Sequence, residues 1–344
     1  MFLIASGGFG CLIDQPVIDK KSIVKTIIPY KNKKQNDVSK IFKVQNKEIF
    51  DFELKIGKQM NKIDANNDFT VKLKGAHWVK YDTFTDYRIK RCIDDDKYFV
   101  YDKICYQLIM ENGGVPIDQV TDKISYKKFI SMLQVFLKGM IKFQKSNLVH
   151  NDIKPDNVLF NNKKISLIDF SLLSKLDHVY SKKSLIRKKK YKYFYAPEYY
   201  IYYIVCEKRV YTDKKSLLNH LDIINFYDKS FFEVSLNRKK FKDQIEDFLD
   251  ILFQSGNKLD HIFDKQLALK ADVFSFSYIL DAFINLQIVV TNNNKEKGFL
   301  TSLLHSTQHG NPLKRESFKS LHNIVSLEYK RLFTKFAIYV FYKK

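Results

Sequence analysis

The feature that most constrains this chain is a polar run, His150-Asn-Asp-Ile-Lys-Pro-Asp-Asn157, followed shortly by Leu167-Ile-Asp-Phe-Ser171. Two strand-like pieces, Val158-Leu-Phe and Ile165-Ser-Leu-Ile, separate them, so both runs read as adjoining loops. Their residue types suit the transfer of a phosphoryl group. Asp152 offers a carboxylate that can orient a hydroxyl and accept its proton. Asn157 and Asp169 offer the oxygen donors that a hard cation such as Mg²⁺ prefers. Lys154 lies two residues after Asp152, so in an extended loop its ammonium projects to the same side.

The rest of the chain is organised around these loops. Residues 1–13 alternate around glycines as strand, turn, strand, and Val38 to Phe42 is a short β-type run. Glu48 to Met60 places Phe52, Ile56 and Met60 four residues apart, a helical stripe. Residues 98–110 read as strands. After Asn112-Gly113-Gly114 the character changes: Tyr126 to Gln144 repeats apolar residues at helical spacing, and from about residue 200 the pattern is mainly helical. The expected fold is α+β, with a β-rich part over 1–110, a hinge at 111–114 and a larger helical part over 115–344.

At this point the motifs resemble the eukaryotic-type serine/threonine protein kinase superfamily over nearly the whole chain, and most of all the divergent kinases of large nucleocytoplasmic DNA viruses. The family pattern is His-Arg-Asp-x-Lys-x-x-x-Asn, then Asp-Phe-Gly, then Ala-Pro-Glu. Here Ala196-Pro-Glu198 closes a segment that opens at Asp169, Asp272-Val-Phe-Ser-Phe-Ser277 resembles a later helix start, and Pro312-Leu-Lys-Arg315 resembles a late Pro-x-x-Arg. The resemblance implies a bilobal kinase fold, ATP with Mg²⁺ or Mn²⁺ as cofactors, and transfer to serine or threonine of a protein substrate. It implies catalytic roles for Asp152 and Lys154, metal ligation by Asn157 and Asp169, and structural roles for His150, Phe170, Glu198, Asp272 and Arg315, with Arg315 ion-paired to Glu198.

Ile4-Ala-Ser-Gly-Gly-Phe-Gly-Cys-Leu12 resembles the family's glycine-rich loop. Glycines there let backbone N–H groups approach phosphates. The resemblance places Ala5, Gly7, Gly8, Gly10, Leu12 and Val38 at the nucleotide, Met110 as gatekeeper, and the backbone around Glu111 and Asn112 at adenine. The ATP-anchoring lysine is Lys40 in Val38-Ser-Lys, with Lys25 in Ile23-Val-Lys as the alternative. Its ion-pair partner is Glu53, with Glu48 second. Small-molecule phosphotransferases share part of the pattern but generally lack Ala-Pro-Glu with a later arginine.

Departures are visible. Ala5 replaces the first glycine, Asn151 the arginine that normally pairs with a phosphorylated activation segment, Ser171 the glycine after Asp169-Phe170, and Tyr191 the usual threonine. These motivate a second reading as a pseudokinase scaffold, against which Asp152, Asn157, Asp169 and a lysine all remain. The stretch from Glu198 to Asp272 is longer than usual and is expected to hold a helical insertion over about 205–265.

Charge and cysteines bound the partners. The 344 residues carry 59 Lys+Arg against 38 Asp+Glu, net +21, but lysine is scattered as in a protein from an AT-rich genome. No nucleic-acid partner is expected. The activation segment concentrates Lys182, Lys183, Arg187, Lys188, Lys189, Lys190 and Lys192 with no acidic residue after Asp177, which points to acidic protein substrates. Four scattered cysteines, Cys11, Cys92, Cys105 and Cys206, suggest reduced thiols and a cytoplasmic setting, in host cytoplasm or virion if viral. No apolar run is long enough to span a membrane. A monomer is expected.

Overall fold

The computed structural model describes residues 3–7, 10–30, 37–42, 46–93, 104–176, 196–202, 204, 213–223, 238–254 and 265–341. They divide into two units, Met1–Gly114 and Val115–Lys344.

In the first unit, β1 (Leu3–Gly7), β2 (Gly10–Ile13), β3 (Ile23–Ile28), β4 (Val38–Phe42), β5 (Leu73–Lys80) and β6 (Ile104–Met110) form one antiparallel sheet. Its order is β1-β2-β4-β6-β5-β3. Helix α1 (Lys47–Ile63) covers one face, where Phe50 and Leu54 pack with Phe42, Leu73, Ala76 and Leu108. Helix α2 (Tyr87–Ile93) covers the other through Ile89 and Ile93, against Cys11, Ile13, Ile41 and Val79. Cover on both faces explains why β4, Val-Ser-Lys-Ile-Phe, is apolar on both sides of its pleat rather than alternating.

Two expectations are corrected here. The buried positions of α1 are Phe50, Leu54, Ile56 and Met60, whereas Phe52 is 40% exposed. A four-residue repeat drifts off a helix that turns every 3.6 residues, so Phe52 leaves the stripe on which Met60 lies. Cysteine chemistry also differs: Cys11 on β2 and Cys92 on α2 form a disulfide, because α2 packs on the face that Cys11 occupies. Cys105 is buried in the same cluster, and Cys206 lies outside the described residues. Of the run expected over 98–110, the strand covers Ile104–Met110 and the earlier residues lie outside the described ones.

The second unit is built on helices. In chain order it contains β7 (Val115–Pro116), β8 (Ile124–Ser125), α3 (Tyr126–Lys145), β9 (Leu148–Val149), β10 (Val158–Asn161), β11 (Lys164–Leu167) and β12 (Ser174–Lys175). Then follow α4 (Pro197–Tyr202), α5 (Lys214–Ile223), α6 (Arg238–Gln254), α7 (Lys265–Asn285), β13 (Val289–Val290), α8 (Asn294–Thr307) and α9 (Phe318–Phe341). Within the expected insertion, α5 and α6 are described. Helix α3 starts at Ser125, whose hydroxyl caps it by accepting from the Lys128 N–H. Helix α7 is apolar nearly all round and is correspondingly buried. Rings interlock the bundle: Phe129 on Phe283, Phe136 on Phe276, and Phe276 on Phe318. Tyr126 donates to Glu328 at 2.8 Å, tying α3 to α9. No helix among the described residues is long and apolar enough to cross a membrane.

Among the described ion pairs of this unit, that between Arg315 and Glu198 is fully buried. Arg315 Nη1 and Nη2 meet Glu198 Oε1 and Oε2 at 2.7 and 3.2 Å, with both side chains fully excluded from solvent. The guanidinium also donates to the carbonyls of His309 and Lys270 and lies over the Phe274 ring. With its donors satisfied in this way, the buried charge is tolerated. Arg315→Met should cost ~3–5 kcal/mol in urea unfolding, because it leaves a buried carboxylate without its cation. Adding Glu198→Gln should recover part of that loss. A single-variant cost under about 1 kcal/mol would mean that the pair is not desolvated.

Candidate active site

The polar run at 150–157 is a loop between β9 and β10, and each of its side chains has a defined anchor. Asp272 on α7 is 1% exposed and accepts the backbone N–H groups of His150 and Asn151 at 2.8 and 2.9 Å. Asn151 adopts φ 65°, a left-handed conformation that asparagine tolerates better than most residues. That turn directs the chain into Asp152.

His150 is fully buried. Its Nδ1 accepts the Asp152 N–H at 3.2 Å, which leaves the proton on Nε2 to donate to the Ile168 carbonyl at 3.1 Å. Burial pushes this imidazole down to about 4 from an ordinary 6.5, so it is neutral at physiological pH. Its ring also packs on Phe170, centroids 4.9 Å apart, and Phe170 in turn meets Phe143 of α3. Thus one neutral histidine joins the loop of Asp152 to the turn of Asp169.

Asn157 directs its amide at Asp152. Nδ2 donates to the Asp152 backbone oxygen at 2.9 Å and to Oδ2 at 2.8 Å. Both amide hydrogens are therefore engaged, and Oδ1 is the end that can meet a cation. The Ile168 N–H donates to the Asn157 carbonyl at 2.9 Å, and Val158 pairs with Leu167, so Asn157 and Asp169 flank one strand pair. Asp169 is exposed, has φ 58°, and accepts the Ser171 N–H through Oδ1. Lys154 Nζ lies 3.6 Å from Asp152 Oδ2.

In the first unit, Leu12, Lys40 and Leu108 form one row across β2, β4 and β6. The Lys40 ammonium meets both Glu53 oxygens, at 2.6 and 2.7 Å, from the α1 side of the sheet. Lys25 lies on β3, the far edge strand from β1 and β2, with its ammonium over the Trp78 ring. Glu48 is in the first turn of α1. Gly10 faces Phe42, and a Cβ there would collide with the Ile41 carbonyl, so β2 and β4 approach as closely as only glycine allows. Ala5 and Gly7 lie on β1, while Gly8 is outside the described residues. Met110 ends β6 opposite Val38 and Leu73. The Glu111 N–H donates to the Lys72 carbonyl at 3.0 Å, so that amide is not a donor for a base. Asn112 Oδ1 accepts the Gly114 N–H. Tyr191 and the basic run at 182–192 lie outside the described residues.

Sequence reasoning treated Asn151 only as a loss, and it missed Tyr199. The Tyr199 hydroxyl donates to Asn151 Oδ1 at 2.7 Å. Its position beside Ala196-Pro-Glu198 was the available signal.

Because His150 is neutral when folded, its contribution is fully present above about pH 6.5 and is lost as pH falls towards 4. Asp281, which burial pushes up to about 6, acts oppositely, so a difference between two proteins is the cleaner measure. The stability gap between wild type and His150→Gln should shrink by up to ~3 kcal/mol between pH 7 and pH 4. Denaturation midpoints across that range will read it, and a constant gap would contradict the assignment.

Comparison with known proteins agrees in kind. A family model described as protein tyrosine and serine/threonine kinase matches residues 78–212. A protein of Acanthamoeba polyphaga mimivirus that carries the name of a serine/threonine-protein kinase is 36% identical over 87 residues. That alignment covers 25% of this chain and 31% of the relative, so the chain spans under a third of the relative it matches.

Proposed function

We propose that this chain, a divergent protein kinase of the viral type, transfers the γ-phosphate of ATP to serine or threonine hydroxyls of proteins. The observation that carries this reading is the bond between Asn157 and Asp152 beside the turn of Asp169. It orients a carboxylate and presents two oxygen donors from neighbouring turns.

In this reading Asp152 accepts the proton of the attacking hydroxyl. Lys154, close to Asp152 Oδ2, balances charge on the transferring phosphoryl group. Asn157 Oδ1 and the Asp169 carboxylate would hold Mg²⁺ or Mn²⁺, which supplies charge neutralisation to the phosphates. The donor chemistry fits: two hard oxygens leave room for water and phosphate oxygens, as Mg²⁺ prefers. Among the described residues no cluster of three His, Cys, Asp or Glu side chains forms a closed cage, so a cation that arrives with the nucleotide suits this pair. In the other unit, Lys40 is the anchor for the α- and β-phosphates, oriented by Glu53. The glycine strands let backbone N–H groups reach phosphate oxygens.

The assignments separate by experiment. Asp152→Asn should abolish transfer while ATP affinity stays within about twofold, since the carboxylate orients the hydroxyl and does not hold the nucleotide. Retained turnover would remove Asp152 from the mechanism. Lys40→Met should cripple transfer and Lys25→Met should not, as edge strand β3 is remote from β2 in the sheet order. The reverse result would move the anchor to Lys25. ATP binding without transfer in the wild type would instead favour a scaffold.

The seven cations between Lys182 and Lys192 support a preference for acidic substrates. Peptides with Asp, Glu or phosphate near the acceptor should outperform Arg-rich ones in a library profile. That preference should weaken with salt, as exposed charges are screened within ~10 Å at 0.1 M. Basic selection, or indifference to salt, would defeat it.

A further inference from the structure

A disulfide lies beside the glycine hairpin of the first unit. Strands β1 and β2 form that hairpin, with Gly7 opposite Gly10, and β1 is the edge of the sheet. An edge strand is paired on one side only, so β1 depends on how firmly β2 is held. Cys11 follows Gly10 on β2, between Ser6 of β1 and Ile41 of β4 in the register. Its sulfur is bonded to that of Cys92 on α2. The two residues are 81 positions apart, so the bond ties the hairpin to a helix far along the chain. Ile89 and Ile93 of that helix pack with Ile13, Ile41 and Val79, and Cys105 shares the cluster outside the disulfide.

The two sulfurs differ in access. Cys11 is completely buried, whereas Cys92 is half-buried. A thiol arriving from solvent therefore attacks the Cys92 sulfur, and Cys11 leaves. Its thiolate forms a mixed disulfide with Cys92 as the S–S bond breaks, and the Cys11 thiolate takes a proton. A second thiol then displaces Cys92, so two electrons and two protons pass to the protein and the two thiols leave as a disulfide. What remains is a hairpin held by backbone pairing and apolar contact, without its covalent tie to α2. We propose that the Cys11–Cys92 disulfide is a redox switch on nucleotide affinity: oxidised, it holds the hairpin of Gly7 and Gly10 in place for phosphate; reduced by thiol exchange, it releases the hairpin and affinity falls. The proposal rests on the kinase reading for its ligand and adds to it a regulatory device on strand β2.

The test measures Mg·ATP affinity on the whole chain, oxidised with glutathione disulfide or reduced with dithiothreitol, each state verified by thiol alkylation and mass spectrometry. The oxidised form should bind about tenfold more tightly, an ordinary coupling between two sites. Coupling is reciprocal, so saturating Mg·ATP should raise by the same factor the quotient of squared glutathione over its disulfide at which half the protein is reduced. A disulfide that only adds stability would move neither quantity. Cys92→Ser should bind like the reduced form under both conditions, and Cys105→Ala should keep the response. The proposal is overturned by equal affinities in the two forms, by a midpoint that nucleotide does not move, by a response that survives in Cys92→Ser, or by thiols of Cys11 and Cys92 that glutathione disulfide never joins. Equal binding in both forms sinks the switch and spares the kinase reading; no binding in either form sinks that reading and the switch with it.

Discussion

One buried carboxylate, that of Asp272, organises the second unit. From its place on the largely buried helix α7 it accepts two consecutive backbone N–H groups, those of His150 and Asn151. Burying a carboxylate is costly unless such donors are supplied, and here the two donors come from a loop that needs holding. The capture stabilises the left-handed turn at Asn151 and so sets the direction of Asp152. From that point the remaining contacts follow by reach: His150 to Ile168, Asn157 to Asp152, and Phe170 onto His150. The neutral histidine bridges two backbone segments, the Asp152 N–H and the Ile168 carbonyl, and the Asn157 amide holds both the carbonyl and the carboxylate of Asp152.

The first unit solves a different problem, that of placing one ammonium within an apolar sheet. Strand β4 is covered on both faces, and Lys40 is the one cation in its run. The two oxygens of Glu53 meet that charge, and α1 brings them there because Phe50 and Leu54 anchor the helix on the same face. Packing thereby fixes an electrostatic contact. The disulfide between Cys11 and Cys92 binds the opposite cover, α2, to the strand that follows Gly10.

Local patterns carried much of the architecture. The periodic run at 126–144 is α3, the β-type run at 38–42 is β4, and the change of character after Gly114 coincides with the end of the first unit. What stayed open, or was misread, depended on contacts between distant residues. Lys25 and Lys40 both sit in β-type runs, and only strand order separates them: β3 crosses to the far edge. Cys11 and Cys92 are 81 residues apart, and no spacing rule pairs them. Phe52 was placed on the buried stripe by a repeat of four where the helix turns at 3.6. Backbone groups around Glu111 and Asn112 were expected at adenine, and of these the Glu111 N–H is engaged by the Lys72 carbonyl, a partner invisible in the local sequence. Asn151 looked like a lost arginine because its partner, Tyr199, lies 48 positions away.

The central claim is that the carboxylate at Asp152, set by these contacts, serves phosphoryl transfer to a protein hydroxyl. Incubation of the whole chain with γ-labelled ATP, Mg²⁺ and generic protein acceptors, followed by acid hydrolysis and phosphoamino-acid identification, tests it most directly. The account predicts label on phosphoserine or phosphothreonine, lost when Mg²⁺ is chelated. Label found only on phosphotyrosine, only on a small-molecule alcohol or sugar, or on no acceptor while ATP still binds, would contradict it.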